Sequence, residues 1–492
     1  MSIVVNTNVA ALNAQRNLID TGQQLNQSLQ RLSSGLRINS ARDDAAGLAI
    51  SDRMGAQVRG LNQAVRNAND AISLAQTAEG ALQESTTILQ RIRKLSIQSA
   101  SDTNTAANRL ALQAEVGQLQ RELTRIAEQT TFNRQVLLDG SFSARRLHIG
   151  SDSGQTIDMS ITAARAADMG EARASSRANI GGFTPTATAA DPNEVVAQNL
   201  RVAGSLGTVS GLAVAANASA FTIAATINGA SATTGVTATA TNSITLSSVG
   251  SGTVTFGLQS RSAGTTVGTA VNISASIATT SDLTTLAAAI NAETARTGIS
   301  ASLGTNRAML QLRNSTGHDI VIVDYSHTGT DRSLTVSGAV AGTATLSGVN
   351  DSIAVGGQLA LRADASFSVT TTVPTTVFTA ATTVSALRSV DAIDVSSQAG
   401  ANAAIGVVDG ALALIGSIRG DLGAIQNRFT STIANLMSVS ENISAAQSRI
   451  LDADFAVETA NLTRAQILQQ AGLAMLSQAN QAPQAALTLI QG

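Results

Sequence analysis

Toward the C-terminus, Ile415, Ile418, Leu422, Ile425, Phe429, Thr432, Leu436, Val439, Ile443, Ala446 and Ile450 alternate at spacings of three and four. That is an a/d seam sustained for about five heptads. At about 1.5 Å per residue the helix runs about 54 Å, and a helix that long needs packing partners along its length. The N-terminal part supplies them. Leu18, Gly22, Leu25, Leu29, Leu32 and Leu36 keep the same rhythm, as do Val58, Leu61, Val65, Ala68, Ile72, Ala75, Leu82 and Leu89, interrupted at Glu79 and Thr86. Leu112, Val116, Leu119, Leu123 and Ile126 mark a shorter helix, with turn and cap at 102–104. Three N-terminal segments and one long C-terminal helix predict a coiled-coil bundle. Val136, Leu137 and Leu138 before Asp139 and Gly140 predict a strand entering a hairpin.

Between these ends the pattern changes. Residues 141–400 are dominated by Thr, Ser, Gly, Ala and Val and read mostly as β. Phe221, Ile223, Thr226 and Ile227 running into Asn228 and Gly229 predict a hairpin; 243–248, 254–258 and 320–325 predict strands. Leu283, Leu286, Ala287 and Ile290 predict one helix with Asp282 as N-cap. Ends that resemble each other around a different middle imply a discontinuous domain. The fold class expected is α+β multidomain, a helical coiled-coil bundle from both chain ends with an inserted β-rich outer region.

Composition narrows the function classes. Only 2% of residues are aromatic, with no Trp, so the core rests on small aliphatics, which suit close helix packing better than a ligand pocket. The formal net charge of −2 comes with no basic patch interleaved with aromatics, which argues against nucleic acid. The absence of Cys removes disulfides, thiolate catalysis and the commonest zinc sites. The first basic residue is Arg16, so no secretory signal is read, and no continuously apolar run of spanning length appears; Ser, Thr and Gly interrupt the uncharged stretch 202–260.

Both chain tips lack charge. Residues 465–492 carry no charged side chain, yet hold Ile467, Leu468, Leu473, Met475, Leu476, Leu487, Leu489 and Ile490. Exposed together they form a large adhesive patch. One reading packs this segment on its own domain. The other packs it against copies of the same chain, because a helix without a polar face is buried on several sides, and it expects tips that order on assembly.

Residues 31–50 read RLSSGLRINSARDDAAGLAI and residues 3–13 read IVVNTNVAALN; residues 443–459 read ISAAQSRILDADFAVET, followed by ILQQAGLA at 467–474. These blocks closely resemble the terminal signatures of bacterial flagellins. Residues 226–229, 286–291 and 297–302 are similar to pieces of the insertion motif of some flagellins. The resemblance implies a filament-forming subunit of the bacterial flagellum, not an enzyme and without cofactors, exported unfolded by the flagellar type III apparatus. It places inner-tube helices at 1–39 and 452–492, an outer-tube bundle with a β-hairpin at 40–140 and 401–451, and an exposed insertion of two subdomains at 141–400. Implied partners are other copies, an export chaperone on the C-terminal helix, and the hook–filament junction and cap proteins. In flagellins detected by Toll-like receptor five, the segment matching 89–98, LQRIRKLSIQ, and a Glu on the next helix form the contact. Gln90, Arg91, Leu95 and Glu115 match; Lys94 stands where an acidic residue is usual.

Other features are bland. Asp43 and Asp44 are too close in sequence to converge as a catalytic pair, and salt bridges to Arg37 and Arg42 are expected. His148, His318 and His327 form no HExxH. Gly406, Gly410, Gly416, Gly420 and Gly423 lack a phosphate-loop Lys and are expected to permit close helix contact or bending. A junction protein, a surface adhesin or an enzyme carried in the insertion would each need signals this chain does not display.

Overall fold

The computed structural model describes residues 7–180, 184–187, 193–262, 269–304, 306–338 and 342–491, the side chains of 482–491 excepted. The helices are α1 (Val9–Ser34), α2 (Ala45–Ala100), α3 (Ala106–Gln129), α4 (Ala220–Asn228), α5 (Ser231–Thr234), α6 (Thr284–Ala292), α7 (Thr294–Thr297), α8 (Gln398–Leu451) and α9 (Phe455–Gln491). Strands β1 (Thr131–Phe132), β2 (Gln135–Val136), β3 (Arg145–His148) and β4 (Thr156–Met159) form two small hairpins. The insertion carries β5 (Gly170–Ser175), β6 (Gln198–Ala203), β7 (Thr208–Val214), β8 (Thr237–Ser247), β9 (Gly252–Arg261), β10 (Val271–Ile277), β11 (Ser300–Leu303), β12 (Leu310–Asn314) and β13 (Asp319–His327). It ends with β14 (Leu334–Gly338), β15 (Thr343–Leu346), β16 (Ile353–Val355), β17 (Gln358–Ala363), β18 (Ser368–Thr371), β19 (Thr382–Val384) and β20 (Ala386–Ser389). The α+β class with long terminal helices and a β-rich middle is as the pattern implied.

The chain divides into two compact units, and the division falls within α2 and α8. The first comprises 1–77, 142–160 and 421–492. Its core joins Ala68 and Ala71 of α2, Ile157 of β4 and Phe429 of α8, with Leu147, Ile149 and Ile425 against them. The second comprises 78–141 and 161–420.

Along α2 the buried line is Leu61, Ala64, Ala68, Ala71, Ala75, Ala78, Leu82, Ser85, Leu89 and Ile92. Half of it matches the expected seam. Val65 and Ile72 are only half-buried, because small Ala and Ser occupy the second row and let helices approach closely. Glu79 and Thr86 therefore do not interrupt the seam. The α3 cap is Thr105, whose side chain accepts from Asn108 N–H (3.2 Å), one residue beyond the expected stretch. The hairpin also lies earlier than expected. Asn133 and Arg134 both have positive φ and turn β1 into β2, the backbone of a two-residue primed turn.

The insertion contains a repeated unit. Residues 220–228 are a helix capped by Gly229 and not the expected hairpin: Ala220, Ile223, Ala224 and Ile227 are buried at helical spacing and Ser219 accepts from Thr222 N–H. Asn228 then grips the next strand, donating to Ala238 O (2.9 Å) and accepting from Ala238 N–H (2.7 Å). Asn291 does the same with Ala301 (2.9 and 2.8 Å). Thr234 and Thr297 each accept from the N–H two residues on, and Gly235 and Gly298 both end short helices at positive φ. β7–α4–α5–β8 and β10–α6–α7–β11 are thus two copies of one module. In the second copy Asp282 Oδ1 accepts from Thr284 N–H (3.0 Å), but the residue at the N-cap of α6 is Leu283, not the expected Asp282.

Helix glycines separate into two kinds. A Cβ on Gly410 would lie 2.5 Å from Gly170 O, and one on Gly406 3.2 Å from Arg362 Nη1, whereas Gly416, Gly420 and Gly423 face open space. Only the first two serve close contact. Gly410→Ala is expected to destabilise by about 1–3 kcal/mol through overpacking. Gly416→Ala is expected to stabilise by about 0.5–1 kcal/mol through helix propensity. Urea melts read both, and a common sign would contradict this assignment.

Asp319 is fully buried in the second unit. Its Oδ2 accepts from Asn193 Nδ2 (2.9 Å) and lies 4.0 Å from Arg261 Nε. Burial pushes its carboxyl up to about 7, against the pull of Asn193 and Arg261. Because the folded pKa exceeds the unfolded value, the stability it contributes is complete below about pH 4 and is lost as pH rises through about 7, an effect of up to about 4 kcal/mol. The melting temperature of this unit is expected to fall from pH 5 to pH 8, and Asp319→Asn to flatten that fall. His318 acts oppositely, since burial lowers its pKa, but it is half exposed. An unchanged slope in the variant would exclude Asp319 as the cause.

Candidate assembly surface

The terminal helices are positioned by a backbone clasp. Gly35 at positive φ ends α1 by donating to Arg31 O. Beyond it Arg37 N–H donates to Leu451 O (2.6 Å) and Ala453 N–H to Gly35 O (2.9 Å), so the exit from α1 is paired with the entry to α9. Glu458, buried, accepts from Ser28 Oγ (3.1 Å) and lies 3.6 Å from Arg31 Nη1. Further along, Gly472 sits against Leu18, and Asn8 both caps α1 and donates to Ala479 O (2.8 Å).

One helix partner covers one stripe of α9. Ala465 is buried and Leu476 is half-buried, while Ile467 (60%), Leu468, Leu473 and Met475 (65%) are exposed. Leu487, Leu489 and Ile490 lie outside the residues whose side chains are described. On α1, Val9, Leu12, Ile19 and Leu29 are exposed. Along α8, Ile415, Ile418, Leu422 and Phe429 are buried, but Ile425, Leu436, Ile443 and Ile450 are half-buried and Val439 is exposed. The seam is closed at its N-terminal half and open beyond.

On α2, Gln90 and Lys94 face solvent, and Arg91 pairs with Glu115 of α3 (Nη2 to Oε1, 2.6 Å). Leu95 does not belong to that surface. It is 1% exposed, turned inward one helical turn after Ile92. Asp43 and Asp44 bond backbone instead of the expected arginines. Asp43 accepts from Ser40 N–H (2.9 Å) and Asn39 N–H (3.2 Å), which hold its carboxyl below the usual range, and Asp44 accepts from Gly47 N–H (2.8 Å) at the start of α2. Arg37 donates to Ile450 O. His148 is exposed, His318 stacks on Phe221 and His327 is buried. Among the described residues no three His, Asp or Glu converge as metal ligands. α8 contains a window apolar enough to cross a membrane by length and composition alone, where the sequence pattern predicts none; Ile415 and Ile418 of this helix are buried within the protein.

Residues 5–143 match the bacterial flagellin N-terminal helical region and residues 405–490 the bacterial flagellin C-terminal helical region. A B-type flagellin of Pseudomonas aeruginosa is 42% identical over the whole of both chains. The chain belongs to the bacterial flagellin family. Flagellin D of Vibrio anguillarum (36%) and flagellin C of Vibrio cholerae (35%) also match over the full length of both chains. A solved structure of FliC from Burkholderia pseudomallei is 20% identical and covers 73% of this chain and 99% of its own, at a TM-score of 0.29. This flagellin is therefore a structural subunit of the extracellular flagellar filament, in a family of structural proteins and not of enzymes.

Residues 262–316 match the flagellin hook IN motif, which contains the second insertion module from β10 to β12. The segment 226–229 belongs to the first module, outside that match. The insertion pieces read from sequence thus mix two copies of one unit.

Proposed function

We propose that this flagellin polymerises through the faces of α1 and α9 that their mutual pairing leaves uncovered. The observation that carries this is the row of exposed Ile467, Leu468, Leu473 and Met475 on a helix whose last charged residue is Arg464. Such a face is stable in water only when sister subunits cover it. The open half of the α8 seam, Leu436, Val439, Ile443 and Ile450, contributes a second contact. Before assembly the same apolar face of α9 is the place for an export chaperone during unfolded passage through the type III apparatus. Junction and cap proteins meet the filament through the same terminal helices at its two ends. Gln90, Arg91 and Glu115 present an exposed polar patch that an innate receptor such as Toll-like receptor five could contact, with Lys94 opposing an acidic-type contact by charge.

Amide exchange tests the central reading. In dilute monomer α9 is expected to exchange fast beyond Ala465 and to become protected in filaments. Equal protection in both forms would place the segment on its own domain and end the proposal.

A further inference from the structure

The sheet β8–β17–β5–β20 has two unlike faces. One packs Ala172, Ala174, Leu359 and Leu361 into the core. The other gathers guanidiniums. Arg362 of β17 stands directly opposite Arg173 of β5, and Arg388 of β20 directly opposite Glu171 of β5. Like charges in facing register destabilise a sheet, and one carboxylate, Glu171, offsets that cost only in part. Glu171 lies 3.5 Å from Arg362 Nε, but it is buried beneath Gly406 of α8, and burial pushes its carboxyl up despite the three arginines. Arg362 Nε has no hydrogen-bond partner. Among the described residues neither Arg173 nor Arg388 has a carboxylate within ion-pair distance. Desolvation, then Arg388 and Arg362, hold the Arg173 guanidinium below its ordinary pKa. Arg388 also lines a cavity of about 330 Å³ together with Ile393, Asp394, Ala403 and Val407.

We infer that Arg173, Arg362 and Arg388 form an oxyanion-binding site on the face of this sheet opposite its apolar core, beside α8. Guanidinium forks match the paired oxygens of sulfate, phosphate and carboxylate groups. An incoming anion relieves the part of the Arg173–Arg362 repulsion that Glu171, one carboxylate among three arginines, leaves uncompensated. The same chemistry is offered by a free ion or by an acidic side chain of a neighbouring copy, whose aliphatic stem suits Ile393, Ala403 and Val407 beside Arg388.

Isothermal titration of the full-length monomer with sodium sulfate, against sodium chloride at matched ionic strength, tests the site. Saturable one-to-one sulfate binding is expected. Arg173→Gln should weaken it about tenfold or more, and Arg388→Gln, at an exposed position without an internal ion pair, should weaken it with the melting temperature unchanged. Arg313→Gln, on the exposed face of β12, should leave it intact. Sulfate binding no greater than chloride, or affinity unchanged in both site variants, would overturn the inference. Filaments then report the source. Sulfate binding retained after polymerisation identifies a free ion; loss of binding on polymerisation, with Arg173→Gln filaments disassembling at lower salt, identifies a neighbour's carboxylate.

Discussion

Removal of residues 462–492 is expected to abolish filament formation while leaving the second unit folded. Ile467, Leu468, Leu473 and Met475, the large apolar side chains exposed among the described residues of that segment, represent together about 3–7 kcal/mol if their remaining exposed surface is buried in a polymer. A micromolar association corresponds to about 8 kcal/mol, so losing this term weakens polymerisation by about two to five orders of magnitude. A milder version changes Leu473 and Met475 to Asp, which keeps the helix length and removes only the apolar face. Both variants should stay in the supernatant after seeding, with no filaments by electron microscopy. The control changes Leu206, Val349 and Val384, equally exposed but in the insertion, to Ser; that chain should polymerise as before. Normal filaments from the Asp variant, or their loss in the control, would move assembly away from α9.

The terminal helices were readable because their packing repeats. Alternation of three and four over the α8 seam specifies both the element and its buried side, and Ile415, Ile418, Leu422 and Phe429 are buried accordingly. The α2 seam was half readable. Its second row is Ala64, Ala71, Ala78 and Ser85, and hydrophobicity does not distinguish a buried Ala from an exposed one, so the larger Val65 and Ile72 attract the assignment. In the insertion, strand positions could be found but pairing could not, because contacts such as β17 with β5 join residues far apart in sequence. Residues 220–229 were misread for a local reason. Asn-Gly normally signals a primed turn, but here the Asn side chain is occupied by Ala238. The correcting signal was present in the sequence: Ile227-Asn228 and Thr234-Gly235 recur at equal separation as Ile290-Asn291 and Thr297-Gly298. A repeat search fixes the first copy as a helix once the second is read as one. For the assembly surface, composition alone showed which helix would be sticky, but not that Glu458 and Ser28 pin its register, nor that Leu95 is internal.

Phe429→Ala is expected to be the most destabilising single substitution in the first unit, by about 3–5 kcal/mol. Phe429 is fully buried between Ala68 and Ala71 of α2 and Ile157 of β4. Its neighbours cannot refill the space. Its buried neighbours are two alanines fixed on a helix backbone and Ile157, held by strand pairing with Leu147; the larger Ile72, Ile149, Ile425 and Ile433 pack at the margin of the cluster. The void therefore persists, and its cost adds to the lost transfer energy. Phe429→Leu keeps most of the volume and should cost less than about 1.5 kcal/mol. Urea denaturation measures the total. Amide exchange at Ile157 and Leu147 localises it, because the β3–β4 hairpin touches the helices through this cluster and should open first. A loss below about 1 kcal/mol for the Ala variant would mean that the hairpin is held by polar contacts such as Asn67 Nδ2 to His148 O (2.9 Å). The two cases also differ in the filament. A hairpin held by Phe429 ties 142–160 to the bundle, so Phe429→Ala filaments should form at low temperature and dissociate on warming well before filaments of the unaltered chain, whereas a polar attachment predicts the same dissociation temperature for both.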